Sequence, residues 1–320
     1  MFTEVIKNMP GQAAWAPKDA SFRLAFEQSN IAMCLVSQAG RLLTVNDQMC
    51  KLFGYGKAEF EGMRVVDLAH PDSKKVSPSF YQGIQTGNAD LVEFEKDYMH
   101  QQGHVVHAHV SRSLVRNAAG EALFYVAHVA DITQRKKMEE DFLRLAFYDP
   151  LTKLANRRLL NDRLAQTLIS SKRFGWYGAL LFLDLDNFKP LNDAQGHHVG
   201  DLLLMEVADR IKACVREVDT VARFGGDEFV VLLTELEVNK TLSNSYAGMI
   251  AEKIRVAVSR PYQLTTLQQQ EVTLVEHQCT ASIGVALFSG KESRRDDILR
   301  GADSAMYEAK EAGRNSVRFQ

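Results

Sequence analysis

The sequence predicts a two-domain chain of mixed α+β and α/β character: an antiparallel sheet with flanking helices, a helical linker, and a second domain of sheet and helices. Three observations predict it. Alternating apolar runs near residues 92–98, 104–114 and 122–130 have the period of strands with one covered face. Asp131 to Phe147 holds neither Gly nor Pro and reads as one helix. Residues 178–186, Gly-Ala-Leu-Leu-Phe-Leu-Asp-Leu-Asp, are too continuously apolar for a surface strand and read as a buried one. At 320 residues the chain has room for domains of about 115 and 170 residues.

The elements follow in order. Residues 1–20 read as an N-terminal arm, loose or forming a short helix against the first domain, which runs over 21–134. Strand-like stretches Ala32–Val36 and Leu42–Val45 precede Asn46-Asp47-Gln48-Met49-Cys50-Lys51-Leu52-Phe53-Gly54-Tyr55 and Asp67-Leu68-Ala69-His70-Pro71-Asp72. A helical segment then leads into the alternating runs, which close on Asp131-Ile132-Thr133. The linker spans 135–147. Ile132, Met138, Phe142 and Leu145 fall near one helical stripe, flanked by Arg135-Lys136-Lys137 and Glu139-Glu140-Asp141. That stretch is too short for a solitary coiled coil but suits the extension of a dimer interface.

The second domain, 148–320, carries the chemistry. Residues 222–229 read Ala-Arg-Phe-Gly-Gly-Asp-Glu-Phe, with the apolar run Phe229 to Leu233 behind them. Val221 to Phe224 reads as a partner strand, with positive φ for the hairpin turn supplied by Gly225-Gly226. Bare backbone N–H groups there leave room for a phosphate. Asp227 and Glu228 are costly to ionise at the end of a buried strand unless a cation is present. The competing reading is an ordinary Gly-Gly hairpin with solvated acids. A second acidic strand end, Asp184 and Asp186 followed by Asn187-Phe188-Lys189-Pro190, weakens it. Asp184, Asp227 and Glu228 around one site suit a hard dication and phosphates; a solvated strand cap fits Asp186 better.

Further strings stand in fixed order with these: Asp149-Pro150-Leu151-Thr152-Lys153-Leu154-Ala155-Asn156-Arg157-Arg158; Asn192-Asp193 and Gly196-His197-His198-Val199-Gly200-Asp201; and Ala305-Met306-Tyr307-Glu308-Ala309-Lys310-Glu311-Ala312-Gly313-Arg314-Asn315. From about residue 147 onward the chain resembles the GGDEF-domain diguanylate cyclases. The region before the linker resembles a PAS sensor domain.

The resemblance implies a central, mostly antiparallel sheet surrounded by helices, as in nucleotide cyclases. It implies condensation of two GTP into cyclic di-GMP with release of two pyrophosphates, each 3′-hydroxyl attacking the α-phosphorus of the other nucleotide. Asp184, the Leu185 carbonyl and Asp227 would hold Mg²⁺ or Mn²⁺. Glu228 would be a further ligand or assist deprotonation of the 3′-hydroxyl. Phe188, through its backbone, Lys189, Gly225 and Gly226 would approach the phosphates, with Lys310 and Arg314, four apart on the last helix, on the triphosphate. Without the other strings, that cationic pair would read as a solvated helix end. Asn192 and Asp201 match the guanine-contacting positions. A carboxylate accepts from guanine N1–H and the exocyclic amine, whereas adenine offers an acceptor at N1, so Asp201 favours GTP over ATP. Asp201 also reads as a helix N-terminal acid before Leu202-Leu203-Leu204-Met205, and the two readings are compatible. His197 and His198 read as loop and cap residues.

Arg216-Glu217-Val218-Asp219 begins nine residues before Gly225, the spacing of the family's product-inhibition site. Arg216 and Asp219 would clamp cyclic di-GMP there, with Arg255 a weak candidate for the second arginine. One domain binds one GTP, so the resemblance implies a homodimer. An alternative is a catalytically silent receptor that binds cyclic di-GMP or GTP and signals by contact. In the PAS-like region His70 reads as structural, and Cys34 and Cys50 lack the context of a flavin-adduct cysteine. The ligand of this domain is unknown from sequence.

A net charge of −2 gives no case for nucleic acid as a partner. Four cysteines (Cys34, Cys50, Cys214, Cys279) show neither metal spacing nor a disulfide framework. No apolar run approaches the ~20 residues of a membrane span, and Met1 to Pro17 lacks a signal-peptide core. A cytoplasmic location is expected. A longer parent chain with membrane spans or a phosphodiesterase domain is compatible with all of this.

Overall fold

The structure is a computed structural model that describes residues 16–72, 91–268, 271–290 and 294–320. The arm before Ala16 and the helical segment expected ahead of the alternating runs lie outside the described residues. The chain divides into two compact units between Glu140 and Asp141.

The first unit comprises α1 (Ala16–Glu27), β1 (Ala32–Ser37), β2 (Leu42–Val45), α2 (Asp47–Phe53), α3 (Lys57–Phe60), β3 (Leu91–Met99), β4 (Val105–Arg116) and β5 (Ala122–Asp131). Its five strands order as β2-β1-β5-β4-β3 with every pairing antiparallel. Asn46 ties three elements together from a fully buried position. Its side chain accepts from Met33 and Met49 N–H and donates to the Phe26 and Ile31 carbonyls. All four capacities of the amide are used, which is the condition for burying it. Helix α1 runs through the expected arm boundary at residue 20.

Helix α4 (Thr133–Phe147) starts two residues later than the sequence suggests. Asp131 Oδ1 accepts the Thr133 N–H at 2.8 Å, and Ile132 N–H donates to the His107 carbonyl, so both stay outside the helix. Met138, Phe142 and Leu145 are exposed along it.

The second unit comprises α5 (Arg157–Phe174), β6 (Tyr177–Asp186), α6 (Phe188–Gln195), α7 (His197–Lys212), β7 (Thr220–Gly225), β8 (Glu228–Leu233), α8 (Lys240–Val258), β9 (Tyr262–Gln268), β10 (Glu271–His277), β11 (Thr280–Ser289), α9 (Arg295–Glu311) and β12 (Val317–Phe319). The sheet order is β12-β11-β6-β8-β7, antiparallel except for β11 with β12, and β9–β10 pair separately.

Central strand β6 is buried on both faces. Leu181, Leu183 and Leu185 join a core with α7 and α8, and Leu180 and Phe182 join one with α5 and α9. With a side-chain period of two, Asp184 and Asp186 continue the second face. Glu228 does the same ahead of Val230 and Leu232. Helix α9 therefore lies on the acid-bearing face, and it lies close. A Cβ on Gly284 of β11 would meet the Ala302 carbonyl at 2.0 Å, so only glycine admits this approach.

Candidate active site at the carboxyl end of β6

The β7–β8 turn is tighter than the two-glycine reading suggests. Gly225 stays in the ladder opposite Glu228, and Gly226 alone takes positive φ, at 53°. A bulge between Arg223 and Gly225 absorbs the odd residue. Leu185 N–H donates to the Asp227 carbonyl at 3.3 Å, which fixes the turn over the end of β6. A Cβ placed on Gly225 or Gly226 would meet nothing within 4 Å, so the space above both is open.

Asp184 pairs in register with Glu228, and Lys310 Nζ stands 2.8 Å from Asp184 Oδ2. Burial pushes the Asp184 carboxyl above its ordinary range, and Asp227 and Asp186 add to the rise while Lys310 opposes it. Glu228 is also raised, first by burial and then by Asp184, Asp303 and Asp227, again against Lys310. One ammonium leaves this group of acids underneutralised.

Asp186 does not behave as a solvated strand cap. It is 4% exposed and accepts from Thr280 Oγ1 at 2.6 Å, Ser282 Oγ at 2.8 Å and the Asn315 N–H at 3.1 Å. The last contact holds the segment after α9, where a second expectation changes. The helix ends at Glu311, so Arg314 is not on one helical face with Lys310. Gly313 ends it at φ 107°, and Arg314 itself sits at φ 64° with its N–H on the Ala309 carbonyl at 3.0 Å, a Schellman closure. Arg314 is exposed.

Phe188 is buried and opens α6, with Lys189 exposed beside it. Asn192 Oδ1 is buried without a hydrogen-bond partner, and a Cβ on Gly200 would stand 1.9 Å from it. Asp201 lies exposed one turn inside α7, which starts at His197. It therefore lies past the first turn and is not the helix N-terminal acid that the sequence suggests, and His197 and His198 are helical rather than loop residues.

Arg216 and Asp219 engage each other. Nε and Nη2 reach the two carboxylate oxygens at 3.2 and 3.0 Å, and Arg216 N–H and Thr234 N–H complete the acceptor's set. The Asp219 side chain is 2% exposed and that of Arg216 43%. Arg255 binds Glu252 and Asn315, and no contact joins it to Arg216.

Two contributors escaped the sequence reading. Asp303 acts on Glu228 from α9, seven residues before Lys310, and that helical spacing was the available signal. Arg223 donates to the Gly226 carbonyl at 2.9 Å and pairs with Asp149 at 3.2 Å, linking the Asp149-Pro150-Leu151-Thr152 string to the turn.

Among the described residues no three His, Cys, Asp or Glu side chains are drawn to ligating distance of one another. The donor set still fits a hard dication: oxygen groups of Asp184, Leu185, Asp227 and Glu228, whose mutual repulsion Lys310 relieves only in part.

Residues 146–316 match the family described as diguanylate cyclase, GGDEF domain, and residues 30–134 match the PAS domain family. The chain belongs to the GGDEF family. MucR of Pseudomonas aeruginosa, a bifunctional diguanylate cyclase/cyclic di-GMP phosphodiesterase, is 46% identical over 187 residues, 58% of this chain and 25% of that protein. The signaling protein YkoW of Bacillus subtilis is 29% identical over 296 residues, 90% of this chain and 33% of that protein. This chain thus spans a third or less of either relative. The crystal structure of the coiled coil and GGDEF domain of DgcB from Caulobacter crescentus, in complex with c-di-GMP, superposes with TM-score 0.51 at 29% identity. It covers 59% of this chain and 93% of that one. No helix among the described residues is long and apolar enough to cross a membrane.

Proposed function

We propose that this GGDEF chain is a diguanylate cyclase that condenses two GTP into cyclic di-GMP and two pyrophosphates. The observation that carries the proposal is the underneutralised acid pair Asp184–Glu228 beside a turn whose two glycines have open space around them. A dication with a polyphosphate completes such a charge balance. Asp184, the Leu185 carbonyl and Asp227 would hold Mg²⁺ or Mn²⁺, and Glu228 would be a further ligand or assist loss of the 3′-hydroxyl proton. When bound, such a metal would supply neutralisation of phosphate charge. Lys189, Lys310, Arg314 and the Phe188 backbone position the triphosphate. The unpartnered Asn192 Oδ1 supports guanine recognition, because it lacks a donor that the exocyclic amine supplies; Asp201 accepts beside it.

One domain holds one nucleotide, so turnover takes a homodimer. The exposed Met138, Phe142 and Leu145 on α4 support a helical seam through which the PAS domain sets the pairing. Product inhibition at Arg216 and Asp219 rests more on Arg216, since Asp219 is already occupied by four donors. A cytoplasmic location suits GTP as substrate.

Purified full chain with GTP and Mg²⁺ is expected to yield cyclic di-GMP, and ATP to be left unchanged, as read by chromatography and mass spectrometry. Absence of product in both the wild type and Arg216→Ala would overturn the proposal in favour of a silent receptor.

A further inference from the structure

Three successive residues after α9 have left-handed backbone: Gly313 at φ 107°, Arg314 at 64° and Asn315 at 41°. Glycine adopts such angles freely and asparagine tolerates them, but an arginine does so only where its surroundings impose it. Whatever holds this segment therefore sets where Arg314 projects. Lys310 is already paired with Asp184, which leaves the charge of Arg314 for a phosphate.

Asn315 is gripped from two sides. Its N–H donates to Asp186 Oδ2 at 3.1 Å, at the end of β6. Its Oδ1 accepts from Arg255 Nη1 at 2.6 Å, and Arg255 stands in the last turn of α8. Arg255 is itself locked. Its Nε and Nη2 donate to Glu252 Oε2 and Oε1 at 2.9 and 2.6 Å, one turn earlier on the same helix. Such a bidentate pair fixes the plane of the guanidinium, so Nη1 has a set direction. The Arg255 side chain is 21% exposed, which shelters the bond to Asn315 from much of the competition by water.

We propose that Arg255 is a positioning residue for the nucleotide: through Asn315 it holds the left-handed segment that presents Arg314 to the triphosphate. The identity of the anion rests on the diguanylate cyclase reading. Arg255 touches no substrate itself. Without its bond, the segment relaxes toward ordinary φ values and the Arg314 fork samples more directions. Affinity is then lost as the entropy of ordering Arg314 on the ligand, with every phosphate contact still available. This work differs from the inhibitory role that the sequence suggests for Arg255, and it follows from where the guanidinium is spent.

The test uses the full chain with Mg²⁺ and two readouts: turnover of GTP, and calorimetric binding of α,β-methylene-GTP, which cannot release pyrophosphate. Arg314→Ala is expected to weaken analogue binding roughly 30-fold, the scale of one charge-assisted bond. Arg255→Met, which keeps the apolar stem, is expected to weaken it about tenfold and to raise KM for GTP with kcat held within about twofold. Asn315→Ala removes the same bond from its other end and is expected to reproduce Arg255→Met. Arg255→Lys still reaches Asn315 with one donor and is expected to recover part of the loss. The double variant Arg255→Met/Arg314→Ala is expected to match Arg314→Ala alone, because Arg255 acts through Arg314. Wild-type affinity in Arg255→Met, or losses that multiply in the double variant, would overturn the inference with the cyclase reading intact. Normal analogue binding by a wild type that forms no cyclic di-GMP would sink the cyclase reading alone, and the binding series would still decide the role of Arg255. A wild type that does not bind the analogue would overturn both.

Discussion

The two ends of the GGDEF-domain sheet treat buried acids in opposite ways. At the end near Thr234, Asp219 is almost fully covered and receives donors from Arg216 side chain and backbone and from Thr234. At the carboxyl end of β6, Asp184 and Glu228 are desolvated, face each other in register, and share one ammonium from Lys310. Burial without compensation is costly. A sheet able to satisfy Asp219, and Asp186 only two residues from Asp184, leaves Asp184 short of partners, which supports the ligand position proposed for it. Underpairing distinguishes the working acids from the structural ones.

The largest effect expected from that difference is on turnover. Asp184→Asn should reduce cyclic di-GMP formation by about 100-fold or more, the scale of losing one electrostatic group at a reacting centre. Its Tm should stay level or rise, because a repelled buried charge disappears. Asp219→Asn should do the reverse: a loss of about 2 kcal/mol in stability from stranded donors, seen in denaturant midpoints, with uninhibited turnover largely kept. Activity surviving in the first variant, or stability in the second, would break the comparison.

Acidity gives a second, smaller effect. Asp184 and Glu228 are raised, so their charged forms cost folding energy once pH climbs through the shifted range, and that cost is absent below it. Metal binding needs the charged forms. Mg²⁺ should therefore raise Tm clearly near pH 8 and hardly at pH 4, measured without nucleotide. A Mg²⁺ effect that grows as pH falls would contradict the arrangement.

Much of this was legible in the sequence, and the misses share a cause. The Gly225-Gly226-Asp227-Glu228 turn and the buried β6 are local patterns, and periodicity carries Asp184 and Glu228 onto one face. Asp186 was misread as solvated because its donors come from Thr280, Ser282 and Asn315, about a hundred residues away in the chain and invisible to local pattern. Arg314 was misread because helical spacing was carried across Gly313, whose positive φ ends the helix. Arg216 and Asp219 stand out by spacing, but spacing alone does not reveal that they bind each other.

Asp149 offers the finest test of the contrast, since it is an acid of the structural kind placed close to the turn. Burial pushes its carboxyl up, but two hydrogen bonds from Thr152 and the charge of Arg223 outweigh burial and leave it below the ordinary range. A depressed carboxyl contributes stability above its unfolded pKa and loses it as pH falls through the folded value. Asp149→Asn should therefore cost about 1 kcal/mol near pH 7, and the gap to wild type should narrow as the medium is acidified below the normal carboxylate range. Arg223 would keep its bond to the Gly226 carbonyl in that variant, so turnover should fall only a few-fold. A wild type less stable than the variant near neutrality, with the gap closing on acidification, would place Asp149 with the underpaired acids instead, and the division between the two kinds would fail at its nearest neighbour to the turn.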